Sequence, residues 1–113
     1  MSQLQPRHKL WLTWKGRFLM GPRYLRFLEA VDETGTIRAA GQEVGWSYRT
    51  CLNRLREMER VLGEKVLATK RGGVSRGGAR LTPAARRLVK LFTSWRSAAI
   101  RASDAAFRKL VRR

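Results

Sequence analysis

A chain of 113 residues with 43% apolar content fits one domain with a packed core rather than a disordered segment. Its 25 Lys and Arg against 8 Asp and Glu give a formal charge of +17, which is tolerated best beside a polyanion, so nucleic acid is the first partner class and an anionic membrane surface the second. Cys51 is the one cysteine and His8 the one histidine, which excludes an internal disulfide and a Cys/His metal cluster.

In chain order, Leu10, Leu12 and Trp14 alternate with polar or outward residues, the period of a half-buried strand, and Gly16 turns the chain so that Phe18 to Met20 return. Pro22 suits the first turn of a helix, and Tyr24, Phe27, Leu28 and Val31 recur at i, i+3, i+4, i+7 before Gly35 ends the element. Thr36 can cap a short second helix carrying Ile37, Ala40, Gly41 and Val44 on one face, with Gly45 as its stop. Ser47 caps a third helix whose apolar stripe is Tyr48, Cys51, Leu52, Leu55, Met58 and Leu62, with Gly63 ending it. Two amphipathic helices joined by a glycine-containing turn of about three residues have the form of a helix-turn-helix.

Residues 65–71 are predicted as a strand and residues 79–81 as its return, around a glycine-rich loop at 72–78. Thr82 and Pro83 then start a last helix in which Leu88, Phe92, Trp95, Ala99, Ala102 and Ala106 recur at steps of four and three. The fold class expected is therefore mainly α with a small β-hairpin wing, a winged helix-turn-helix with a long C-terminal dimerisation helix. Within one structural domain, residues 1–20 form the N-terminal strand segment, 21–82 the winged helix-turn-helix and 83–113 the C-terminal helix.

Charge follows this division. Arg23 to Trp46 holds three basic and four acidic residues, whereas Lys65 to Arg113 holds 14 basic residues and the single acid Asp104. A one-sided contact surface needs this asymmetry. A helix that enters the major groove needs an apolar inner face and an outer face of donors. The outer residues of the third helix, Arg49, Thr50, Asn53 and Arg54, with Arg56 further along, supply groups that pair with base edges. Ser47 and Tyr48 begin that helix, and Thr36 and Arg38 begin the one before it. Tyr48 also lies on the apolar stripe, so packing is its expected job. The loop residues Lys70, Arg71, Ser75 and Arg76 stand among glycines that let a backbone lie against phosphates. A nucleotide-gripping loop is excluded by the absence of the Gly-x-x-x-x-Gly-Lys-Ser/Thr pattern.

Gly21-Pro22-Arg23, the run from Leu28 to Ile37, Gly45-Trp46-Ser47-Tyr48-Arg49, and Gly77-Gly78-Ala79-Arg80-Leu81-Thr82-Pro83 together resemble the N-terminal DNA-binding domain of the ModE family of molybdate-responsive transcription regulators, over about residues 9 to 95. That resemblance implies a winged helix, a helix-mediated homodimer on a palindromic operator, a link to genes of molybdate or other metal-oxyanion transport, and DNA contacts by Ser47, Tyr48 and Arg49. The chain departs from the family pattern at Cys51-Leu52, where the family often has Ala-Trp, and in a loop interrupted by Val74, Ser75 and Arg76. The regulators also carry C-terminal molybdate-binding domains, for which residues ending at Arg113 leave no room, so no small-molecule ligand and no cofactor are expected in this chain.

Among the remaining residues, Cys51 is expected as a small buried hydrophobe. Trp11, Trp14, Trp46 and Trp95 are scattered over three elements, which favours core and interface packing over single-strand base stacking. The last helix offers dimerisation, a membrane-surface role or added non-specific DNA affinity; alanines in its stripe give shallow membrane anchoring, which favours dimerisation. No apolar run approaches the roughly 18 residues of a spanning helix, and no signal peptide is visible, so a cytoplasmic, membrane-free protein is expected. The expected partner is double-stranded DNA, bound by a homodimeric regulator that catalyses nothing; a nucleoid-type architectural protein and a protein-interaction module are the rival classes.

Overall fold

The computed structural model describes residues 3–69 and 78–112. The order is β1 (Leu12–Trp14), β2 (Arg17–Met20), α1 (Pro22–Thr34), α2 (Ile37–Val44), α3 (Tyr48–Leu62), β3 (Leu67–Thr69), β4 (Ala79–Leu81) and α4 (Pro83–Val111). The strands make two separate antiparallel pairs, β1 with β2 and β3 with β4. Lys15 and Gly16, both at positive φ (50° and 79°), form the tight turn between β1 and β2, as a turn that matches strand twist requires. The pairing slips by one residue between Leu12 and Thr13.

The apolar spacing read from the sequence folds inward with local adjustments. Leu25, Phe27, Leu28, Ala30 and Val31 of α1 are buried, while Tyr24 is half-buried at the edge of the core. Ala40 and Val44 of α2 share one core with Cys51, Leu55, Met58 and Val61 of α3; Leu52 and Leu62, expected on the stripe, stand half-buried beside it. Val66, Leu67, Ala79 and Leu81 close the core from the hairpin, and Phe92 closes it from α4. The β3 strand begins two residues later than the expected strand, and Lys70 and Arg71 lie outside the described residues.

Helix ends follow side-chain and glycine chemistry. Thr36, Ser47 and Thr82 each cap a helix by accepting from the backbone N–H three residues on, at 3.1, 3.1 and 3.2 Å. Gly45 closes α2 in the left-handed region, and Trp46 N–H reaches the Gly41 carbonyl at 2.8 Å, the pattern that satisfies the orphan carbonyls of a helix end.

At 1.5 Å per residue α4 is about 43 Å long, which accounts for extents of 64 × 29 × 21 Å. The apolar repeat expected along it divides between two faces. Phe92 turns inward with Ala85, whereas Trp95 and Ala102 join Leu91, Ala98 and Ala105 on an outward seam at steps of four and three. Two of the four tryptophans stand outside the core, Trp11 just before β1 at 51% exposed and Trp14 on β1 at 44%.

Candidate nucleic-acid interface

The turn between α2 and α3 is the three residues Gly45 to Ser47, and its geometry is set by close contact. A Cβ added at Gly41 would lie 2.5 Å from Cys51 Sγ and 2.8 Å from the Trp46 carbonyl oxygen, so only glycine lets α3 approach α2 at this distance. Burial pushes the Cys51 thiol above its ordinary pKa, consistent with a packed, neutral side chain. Trp46 is held by Tyr24 and Phe27, with ring centroids 5.2 Å away in each case, and Tyr24 in turn meets Phe18 at 5.3 Å. Arg23 Nε donates to the Val44 carbonyl at 2.9 Å and finishes the end of α2. These contacts fix where α3 starts and which way it points.

From that start, the outer face of α3 is solvent-facing. Ser47 Oγ accepts from Thr50 N–H and donates to Thr50 Oγ1 at 3.0 Å, so the Ser47 hydrogen is committed to the helix end while Thr50 keeps its own O–H to donate. Arg49, Asn53 and Arg54 are exposed, and Arg49, Asn53 and Arg56 share a stripe at i, i+4, i+7. Arg54 lies over the Trp46 ring at 5.9 Å. Tyr48 departs from its expected packing role. It is 43% exposed, because its side chain leaves the helix ahead of the first inward turn, and the Arg38 guanidinium of α2 stands 4.5 Å from its ring centroid. Thr36, by contrast, spends its hydroxyl on capping α2.

The structure thus brings Arg38, Ser47, Tyr48, Arg49, Thr50, Asn53 and Arg54 to one end of α3. Lys70, Arg71, Ser75 and Arg76 lie outside the described residues, and only the base of their hairpin is placed. That base is tied to the helices: Ala79 N–H donates to the Gly35 carbonyl at 2.7 Å, and Thr82 Oγ1 donates to Lys65 O at 2.8 Å.

The acids of α3 are occupied elsewhere. Glu57 meets Arg60 at 2.6 Å and Arg17 at 3.9 Å, and Glu59 accepts from Val66 N–H at 2.9 Å. The N-terminal two turns of α3 therefore carry cations and amides with no carboxylate. Arg56 and the Arg38–Tyr48 stack are the parts that sequence spacing alone undervalued. The signal for the stack was Tyr48 standing one turn before Cys51, at the open end of the stripe. Among the described residues no group of three His, Cys, Asp or Glu side chains could hold a metal ion, and no helix is long and apolar enough to cross a membrane.

Comparison with known proteins places this geometry. The similarity to ModE-type regulators drawn from the sequence is borne out. The chain is 37% identical over 73 residues to the molybdenum-pterin-binding protein MopB of Rhodobacter capsulatus, covering 65% of this chain and 27% of that protein. It is 35% identical over 74 residues to the molybdenum transport protein ModE of Herbaspirillum seropedicae, covering 66% and 26% respectively. The chain thus spans about a quarter of the length of these curated relatives. Its fold is shared with the CbnR DNA-binding domain, crystallised with DNA, at a TM-score of 0.58 and 23% identity over 78% of this chain and 95% of that one. It is shared with ArgP of Mycobacterium tuberculosis at a TM-score of 0.51 and 23% identity, over 78% of this chain and 30% of that one. Residues 22–86, from the start of α1 through the first turn of α4, match the bacterial regulatory helix-turn-helix proteins of the LysR family, and the chain belongs to that family.

Proposed function

We propose that this chain binds double-stranded DNA with sequence preference and regulates transcription, as a homodimer joined through α4. The observation that carries this reading is the acid-free, solvent-facing first half of α3, held at a fixed angle by the Gly41–Cys51 contact and flanked by Arg38 on Tyr48. In it, Arg49, Asn53 and Arg54 reach base edges, Tyr48 and Arg38 lie against the backbone, and Ser47 and Thr50 orient the helix start. Lys70, Arg71, Ser75 and Arg76 grip the neighbouring phosphates, and Thr36 holds α2 in place. The outward seam of α4, with Leu91 58% exposed beside Trp95, Ala98, Ala102 and Ala105, has the spacing of a helix pair and supports the dimer, which would set two α3 helices in successive major grooves of a palindrome. The names of the curated relatives make control regions of molybdenum-handling genes the first operators to try. The reading assigns the chain no reaction and a place inside the cell.

The formal charge of +17 favours one second reading, a sequence-independent architectural protein. Selection of sites from random duplex DNA at physiological salt, followed by a salt titration on the selected sequence, separates them. A palindromic consensus bound far more tightly than scrambled duplex is expected; tight binding without a consensus supports the architectural reading, and no binding refutes both.

A further inference from the structure

Three faces of α4 are distinct. One packs inward on α1 through Ala85 and Phe92, and a second is the apolar seam. At 3.6 residues per turn, Lys90, Arg101, Arg108 and Arg112 fall within about 40° of one another on a third face, spread over about 33 Å of helix. All four side chains are exposed. The gap between Lys90 and Arg101 is filled by Ser94 and Ser97, and Ser97 Oγ accepts from Arg101 at 2.9 Å. Asp104, the single acid of α4, lies at the margin and faces His8 at 3.9 Å. The stripe is therefore cationic and hydroxylic from end to end, with no large apolar side chain among its members.

Its position is as informative as its composition. The helix packs against α1 and β4, while α3 packs against α2 and β2, so the stripe and the outer face of α3 belong to helices with different packing neighbours. From these observations we infer that the outer stripe of α4 binds a second DNA duplex, so that the protein bridges two DNA segments. A straight row of cations and hydroxyls matches a polyanion with phosphates at regular intervals along a rigid axis. An acidic protein surface would need an apolar anchor that the stripe lacks, and a bilayer would need apolar residues within it. The inference rests on the reading of α3 as the contact for the first duplex.

Two readouts test it with the full chain. Anisotropy of a short labelled duplex reports the first site, and capture of a second labelled duplex by bead-bound DNA reports bridging. The exposed variant Arg101→Glu/Arg108→Glu/Arg112→Glu, checked for parent-like circular dichroism, is expected to hold the short duplex within about twofold and to lose bridging by at least about tenfold, with a shallower salt dependence of capture. Arg49→Ala is expected to weaken the short duplex at its selected site. Absence of bridging by the parent overturns the inference, as does an equal loss in both readouts, which would place the stripe on the same duplex as α3. Stripe-dependent binding to vesicles of anionic phospholipid without bridging also overturns it. Loss of short-duplex binding in the stripe variant with full binding by Arg49→Ala would instead overturn the reading of α3.

Discussion

Replacing Gly41 by Ala tests whether the α2–α3 contact sets the position of α3. In an ordinary helix interior this change is favourable by roughly 0.5–1 kcal/mol. Here the new methyl meets Cys51 Sγ at 2.5 Å and the Trp46 carbonyl oxygen at 2.8 Å. The second obstacle is backbone and is itself held by the turn, so the helices must separate rather than a side chain rotate. Overpacking of this kind costs about 1–3 kcal/mol, and with two obstacles the upper end applies, leaving a net loss of about 2 kcal/mol. For a domain of this size that lowers the melting temperature by roughly 8 °C. Urea unfolding followed by tryptophan fluorescence measures the loss directly. Combining Gly41→Ala with Cys51→Ala removes the sulfur but not the carbonyl, so the double variant is expected to be more stable than the sum of the two single losses predicts. A Gly41→Ala protein at or above parent stability, or strictly additive losses, would refute the close-contact account of how α3 is positioned.

Other outcomes follow from the same structure. Arg49→Ala is expected to relax base preference at one position, by about 1–3 kcal/mol of discrimination, in competition binding against single-base operator variants. Arg76→Ala, a change in the loop between β3 and β4, is expected to weaken all sequences alike and reduce the salt slope by about one. Leu91→Glu on the exposed seam should convert dimer to monomer in light scattering and lower operator affinity by more than about tenfold. Because burial raises the Cys51 thiol pKa in the folded state, its contribution to stability is present below the ordinary thiol range and is lost as pH rises through the folded value. Urea midpoints should therefore fall more steeply for the parent than for Cys51→Ala as pH rises above the ordinary thiol pKa of about 8.5.

Element order, caps and the helix-turn-helix were legible because each rests on local chemistry. Thr36, Ser47 and Thr82 cap the helices that their positions announced, and Gly35, Gly45 and Gly63 end helices in the left-handed region. Faces were less legible wherever a helix has more than one neighbour. The repeat along α4 reads as a single stripe, yet the structure gives Phe92 to the core and Trp95 to the outside, since a helix of 29 residues packed on α1 of 13 can bury only part of one face. Tyr48 leaves the apolar stripe for a related reason. Periodicity treats every position of a stripe alike, whereas the first residue of a helix projects beyond the body that the stripe covers, and here it meets an arginine from the neighbouring helix. The exposure of Trp11 and Trp14 depends on how the first hairpin sits on α3, a non-local fact that no spacing encodes.

Gly35 ends α1 at φ 81°, and its carbonyl takes the Ala79 N–H of the hairpin base. One peptide unit thus anchors both the turn into α2 and the strand that leads back from the basic loop. No rotamer intervenes between them, so this one link of the hairpin base to α1 is set by main-chain geometry. Side-chain substitutions in the loop can change what charge is presented while leaving the attachment of its base untouched, which separates address from content in this small fold.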